Sequence, residues 1–94
     1  MADYSLSRIA RTKISHIYEY SLLTFGERQA DIYVDSLFET FDHLAKLPNM
    51  GRAWRRWRRH EHAEHVIFYM IKDDGIEIVD VFHHGEDIVS KMKS

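Results

Sequence analysis

The chain contains no cysteine, which removes disulfides, thiol catalysis and thiolate metal sites together. It has one proline and four glycines among 94 residues, and the glycines are scattered through turns, so there is no Gly-rich phosphate loop. No apolar run approaches the roughly 20 residues that a membrane span requires. The first residues, Met-Ala-Asp-Tyr, lack the basic and apolar regions of a signal peptide, so a soluble cytoplasmic protein is expected. Charge of neither sign dominates: the net formal charge is −2, and that total does not suggest a nucleic-acid binder. Internal repeats, low-complexity tracts and Pro/Gly/Ser-rich linkers are also missing. What remains is 45% hydrophobic and 13% aromatic, enough for one core and too short for two, so residues 1–94 read as a single domain.

The clearest local signal lies at residues 65–87, HVIFYMIKDDGIEIVDVFHHGED. Two apolar runs, 65–71 and 76–82, flank Asp73-Asp74-Gly75, and Asp-Gly between β-branched and aromatic runs predicts a hairpin. In the first run Ile67, Tyr69 and Ile71 alternate with Val66, Phe68 and Met70. Both sets are apolar, which predicts an inner strand covered on both faces.

Upstream, Asp3–Leu6 alternates as a short strand, and Ser7 is placed to cap a helix. Ala10, Ile14, Ile17, Tyr18, Ser21 and Phe25 form a helical stripe that Gly26 terminates. Ala30, Tyr33, Val34, Leu37, Phe38, Phe41, Leu44 and Ala45 form a second stripe, stopped near Leu47 by Pro48 and about 30 Å long. So short a connection makes an antiparallel helical hairpin, and its apolar stripes need a sheet to cover. Asn49-Met50-Gly51 reads as a turn, while residues 52–64 match no clean period beyond an expected strand beside 66–71. The fold expected is α+β: a two-helix antiparallel hairpin on a small antiparallel β-sheet, in the order β-α-α-β-β-β.

Three clusters carry candidate chemistry. Residues 52–59 place five guanidinium groups in eight positions, with Trp54 and Trp57 interleaved. Arginine forks suit carboxylates or phosphates, and flat tryptophan surface suits a partner's anchor residue, so Trp54, Arg55, Arg56, Trp57, Arg58 and Arg59 are candidates for partner contact. His60-Glu61-His62-Ala63-Glu64-His65 invites a metal reading. However, Glu64 stands where the second histidine of HExxH is needed, so an incidental role is expected and no metal or other cofactor is assigned. The third cluster is His83, His84, Glu86 and Asp87 at the end of a strand. It suits either a general base oriented by a carboxylate or a tether between the strand and the tail.

In order and spacing, three segments resemble the ParE family of toxins within the RelE/ParE superfamily of type II toxin–antitoxin modules. They are YSLSRIARTKISHIYEYSLLTFGERQA, LAKLPNMGR and HVIFYMIKDDGIEIVDVFHH. The most specific pieces are Leu-Pro-x-x-Gly-Arg at 47–52 and Glu77-Ile78-Val79 leading to His83. The resemblance covers essentially the whole chain. It implies a non-catalytic toxin that inhibits DNA gyrase and is neutralised by a ParD-type antitoxin whose C-terminal segment folds onto it. It implies no sequence-specific nucleic-acid binding by the toxin alone. By that resemblance His83, His84 and Asp87 form a functional tail. The alternative within the superfamily is a RelE-type, ribosome-dependent mRNA endonuclease. ParE-type tails usually carry His, one or two Arg, then Asp. Here His83 and Asp87 are kept but Gly85 and Glu86 stand in the arginine positions, and a carboxylate there argues against gripping a scissile phosphate.

Overall fold

Ser7 decides where the first strand ends and the first helix begins. Its hydroxyl accepts the Ala10 N–H at 3.0 Å as an N-cap and donates to the Val79 carbonyl at 2.6 Å, 72 residues away. The computed structural model describes residues 3–92. In chain order these form β1 (Asp3–Leu6), α1 (Arg8–Phe25), α2 (Glu27–Lys46), β2 (Arg52–Trp54), β3 (Trp57–His62), β4 (His65–Lys72), β5 (Gly75–His83) and a single turn, α3 (Ile88–Lys91). The sheet order is β1-β5-β4-β3-β2. The expected α+β architecture is present, but four strands follow α2 where three were expected, a helical turn follows β5, and the sheet is not wholly antiparallel. β1 lies parallel to β5, so the sheet is antiparallel everywhere except at that edge. Among the described residues no helix is long and apolar enough to cross a membrane.

Gly26 joins the two long helices with φ +94°, a left-handed conformation that costs glycine little, and it closes one helix while opening the next. Gly75 has a different task from the one its Asp-Gly context suggests. The turn itself is Asp73-Asp74, because Lys72 already pairs with Gly75. A Cβ at position 75 would collide with the Asp3 carbonyl, so glycine is needed for the close approach of β1.

The turn after α2 is held from inside. The buried Tyr69 hydroxyl donates to the Pro48 carbonyl at 2.7 Å and accepts the Gly51 N–H at 2.9 Å. Arg58 closes it from the other side, with Nε and Nη2 on the Gly51 carbonyl at 3.0 and 2.7 Å. A Cβ on Gly51 would run into the Tyr69 ring and hydroxyl, which accounts for glycine within the Leu-Pro-x-x-Gly-Arg turn.

The hairpin stripes and the sheet meet in the main core, where Ala10, Ile14, Leu37, Phe41 and Leu44 pack on Ile67, Tyr69, Ile76, Ile78 and Val81. Two predicted members of the first stripe lie elsewhere. Tyr18 donates to Asp31 at 2.8 Å on the outside of the hairpin, and Phe25 is 64% exposed because the last turn of α1 runs past the core. β5 bulges at Val79, since Phe68 faces Asp80 while Tyr69 faces Ile78. That extra residue keeps Ile78 and Val81 on the helix side and sends Asp80 and Phe82 to the opposite face. There Val66, Phe68 and Phe82 form a second core, covered by Ile88 and Met92 and flanked by Trp54 and Trp57. β4 is therefore apolar on both faces, as its sequence predicts.

Candidate functional site

The arginine run resolves into a hairpin. β2 and β3 pair through Trp54 and Trp57, leaving Arg55-Arg56 as a two-residue turn with Arg55 at φ +56°. Strand alternation then sorts the arginines by face. Arg58 points toward the helix layer, where its fork is bound to turn carbonyls. Arg59 points to the tail-covered face, 15% exposed. Its guanidinium lies 5.6 Å from the Phe68 ring centre and 3.4 Å from Glu61, and its Nε has no hydrogen-bond partner among the described residues. Arg55 lies over Trp54 at 4.6 Å and donates to the Met92 carbonyl at 2.7 Å, tying the tail down. Arg56 sits over Trp57 at 5.4 Å. The two indoles stack with centroids 6.3 Å apart, and Trp54 meets the Phe68 ring edge-on at 5.1 Å. The six candidates thus share one hairpin, but Arg58 is committed to the fold and Arg55 to the tail. Arg56 and the half-buried tryptophan edges remain on the surface.

The histidines gather at the other end of β4 and β5, around a groove of about 680 Å³. One wall is α1, through Lys13, His16, Ile17 and Tyr20. Tyr33 comes from α2, and His65, Val81 and His83 come from the sheet. The Tyr33 hydroxyl meets His65 Nδ1 at 2.5 Å. Burial, then the neighbouring His83, pushes the His65 imidazole down to about 4, so it is neutral and accepts a hydrogen bond from the tyrosine hydroxyl. Burial raises Tyr33, which remains a donor.

The His83 and His84 rings stack at 5.0 Å, with both Nε2 atoms turned to one Glu64 oxygen at 3.6 and 3.2 Å. His83 Nδ1 accepts the Gly85 N–H at 3.1 Å. A neutral ring with that nitrogen accepting carries its proton on Nε2, toward Glu64. His83 thus has Nδ1 hydrogen-bonded to the chain just beyond it and Nε2 facing Glu64 at 3.6 Å. Asp87 is not part of this cluster. Its carboxylate caps α3 by accepting Ser90 N–H and Oγ–H at 3.4 and 2.8 Å. Glu86 takes Lys91 at 2.7 Å, and that hydrogen bond holds its carboxyl below the usual range.

His62 lies between the Ser36 and Thr40 hydroxyls, at 2.9 and 3.1 Å, and burial lowers its pKa. It anchors β3 to α2. Among the described residues no three His, Asp or Glu side chains are arranged to hold a metal ion. Sequence reading did not single out Lys13, and it placed Tyr33 only in a core stripe and His65 only in the metal-candidate cluster. The available signal was a tyrosine in a core stripe, whose hydroxyl needs a partner when buried.

The chain is similar to known proteins. The family profile described as ParE toxin of type II toxin-antitoxin system, parDE, matches residues 4–88. Toxin ParE1 of Caulobacter vibrioides is 33% identical over 89 residues, spanning 90% of this chain and 92% of its own. A solved chain of the chromosomal ParDE TA system from P. aeruginosa shares the fold with TM-score 0.74 at 19% identity, covering 88% of this chain and 96% of that one.

Proposed function

The chain belongs to the ParE toxin family of type II toxin–antitoxin systems, and from that premise we propose that it inhibits DNA gyrase without catalysis and is held inactive by a ParD-type antitoxin. The observation that carries the non-catalytic part is the state of the histidine cluster. His83 Nδ1 is hydrogen-bonded to the Gly85 N–H, the Nε2 atoms of His83 and His84 both face the Glu64 carboxylate, and Glu64 and Glu86 line the adjoining groove. Lys13 is the lysine or arginine lining that groove among the described residues, and Asp80 holds it at 2.8 Å. A phosphodiester placed there meets carboxylates where its developing charge needs cations. The same arrangement counts against the RelE-type endonuclease. Partner contact falls to the Trp54–Trp57 hairpin, with the exposed Arg56 and the tryptophan edges offered to acidic and apolar residues of the antitoxin or target.

The test is DNA supercoiling by purified gyrase with and without the toxin, with cleaved DNA trapped by protease and detergent. Loss of supercoiling with accumulated linear DNA is expected, and added antitoxin reverses it. Unaffected gyrase would overturn the reading, and mRNA cleavage on ribosomes would replace it with the endonuclease.

A further inference from the structure

A strand carries its amides alternately to either side, and β5 has neighbours on both sides along only part of its length. β1 covers residues 75–78 and then turns away at Ser7 into α1. β4 continues on the other side as far as the His65–His83 pair, so the last residues of β5 form an edge. The His84 N–H donates to the Glu64 carbonyl at 3.0 Å, which sets the even-numbered amides toward β4 and those of Val81 and His83 outward. Both outward amides are plugged. The Asp80 carboxylate accepts the Val81 N–H at 2.8 Å, and the Glu86 carboxylate accepts the His83 N–H at 2.9 Å. A lysine grips each plug, Lys13 on Asp80 at 2.8 Å and Lys91 on Glu86 at 2.7 Å. Lys13 comes from the helix layer, yet its ammonium stands 3.7 Å from the centre of the Phe82 ring on the opposite face. Its stem therefore lies across the edge.

The Asp80 and Glu86 carboxylates, on amides two residues apart, stand where the carbonyls of a further strand would stand, and they shield the edge from unwanted pairing. The 680 Å³ groove runs along this edge, with Ile17 and Tyr20 on its far wall and Glu64 beside it. The Glu64 side chain is 66% exposed and is paired with two histidines, and not with a lysine or arginine among the described residues.

We infer that this edge of β5 is a strand-acceptor site for an extended segment of the antitoxin. That segment sets an apolar side chain against Ile17 and Tyr20 and a lysine or arginine beside Glu64. The inference rests on the antitoxin reading above. On docking, two carbonyls of the segment replace Asp80 and Glu86 at the Val81 and His83 amides, and the freed pairs turn to solvent. An extended segment fits and a helix does not, because a helix has already engaged its carbonyls internally.

The experiment mixes the purified toxin with its ParD-type antitoxin and reads affinity together with hydrogen exchange at the Val81 and His83 amides. Both amides should slow by roughly tenfold or more in the complex, since a side-chain plug opens more readily than a strand ladder. Glu86→Ala removes one plug without touching the incoming backbone and should tighten the complex about fivefold. Glu86→Gln keeps an acceptor for the His83 N–H and should bind as the native chain does. A complex with both amides unchanged, or one weakened by Glu86→Ala, overturns the strand site while the antitoxin reading stands. Absence of any complex overturns both. A free toxin that dimerises with these amides protected gives the edge to a second copy and overturns the site as proposed.

Discussion

On the helix side of the sheet, Phe41, Leu37 and Ala10 are fully enclosed beneath helices of 18 and 20 residues, while on the other side Phe68 and Phe82 lie under a helix of 4 residues and the edges of two tryptophans. The first cover is apolar and continuous, and it stays closed through the area it buries. The second is fastened by polar ties: the Asp87 cap, the Lys91–Glu86 pair and the Arg55 bond to the Met92 carbonyl. Polar ties at a surface contribute little each, because water competes for both partners. One sheet thus carries a face built for stability and a face that opens at lower cost, and the arginine–tryptophan hairpin borders the second.

Breaking the helix side should have the largest effect. Phe41→Ala opens a cavity beneath both helices and should cost about 4 kcal/mol, read as a fall in the urea midpoint by far-UV circular dichroism. Ile88→Ala on the tail side should cost about 2 kcal/mol. Because Trp54 and Trp57 flank that core and no tryptophan lies on the helix side, their fluorescence should change before the helical signal does. Coincident transitions would show that the two faces open together.

Acid should act through His65, beneath the hairpin. Its imidazole titrates near 6.5 when unfolded and at about 4 when folded, so between these values the unfolded chain holds more protons. Stability is full above about pH 6.5 and is lost as pH falls toward 4. His62, lowered by burial, adds in the same direction. His65→Asn should flatten most of this slope when urea midpoints are compared from pH 7 to 4. The smallest change expected is a gain. Ala63 turns between β3 and β4 at φ +49°, so Ala63→Gly should stabilise the chain by up to about 1 kcal/mol in the same melts.

The contrast between the faces also explains what the sequence could and could not reveal. The helix side was legible because one stripe of 3.6-residue period and one alternating strand each mark a single buried face. Val66 and Phe68, opposite Ile67 and Tyr69, likewise announced that a second cover exists. What forms that cover was not legible, since Ile88 and Met92 sit in a tail too short for any period to show. The hairpin at residues 52–62 escaped because its turn is Arg55-Arg56, with none of the Gly, Asn or Asp that normally mark a positive φ. Among the candidate residues, the roles of Arg58 and Asp87 needed the structure. A guanidinium bound to the Gly51 carbonyl and a carboxylate capping α3 look, in sequence, just like groups offered to a partner. The bulge at Val79 was invisible too, and it alone sends Asp80 to the face where Lys13 meets it.

The parallel pairing of β1 with β5 has a consequence during synthesis. Residues 3–6 have no sheet to join until residues 75–78 exist, and the Ser7–Val79 bond spans 72 positions. The helical hairpin is local and forms while the chain is still emerging, but its apolar stripes wait for a sheet that is complete only once β5 has been made. A nascent chain on the ribosome therefore lacks its shape until β5 has emerged. An interrupted translation product, lacking β5, leaves both β1 and the helix stripes without a surface, and it should be cleared by proteolysis before it can act.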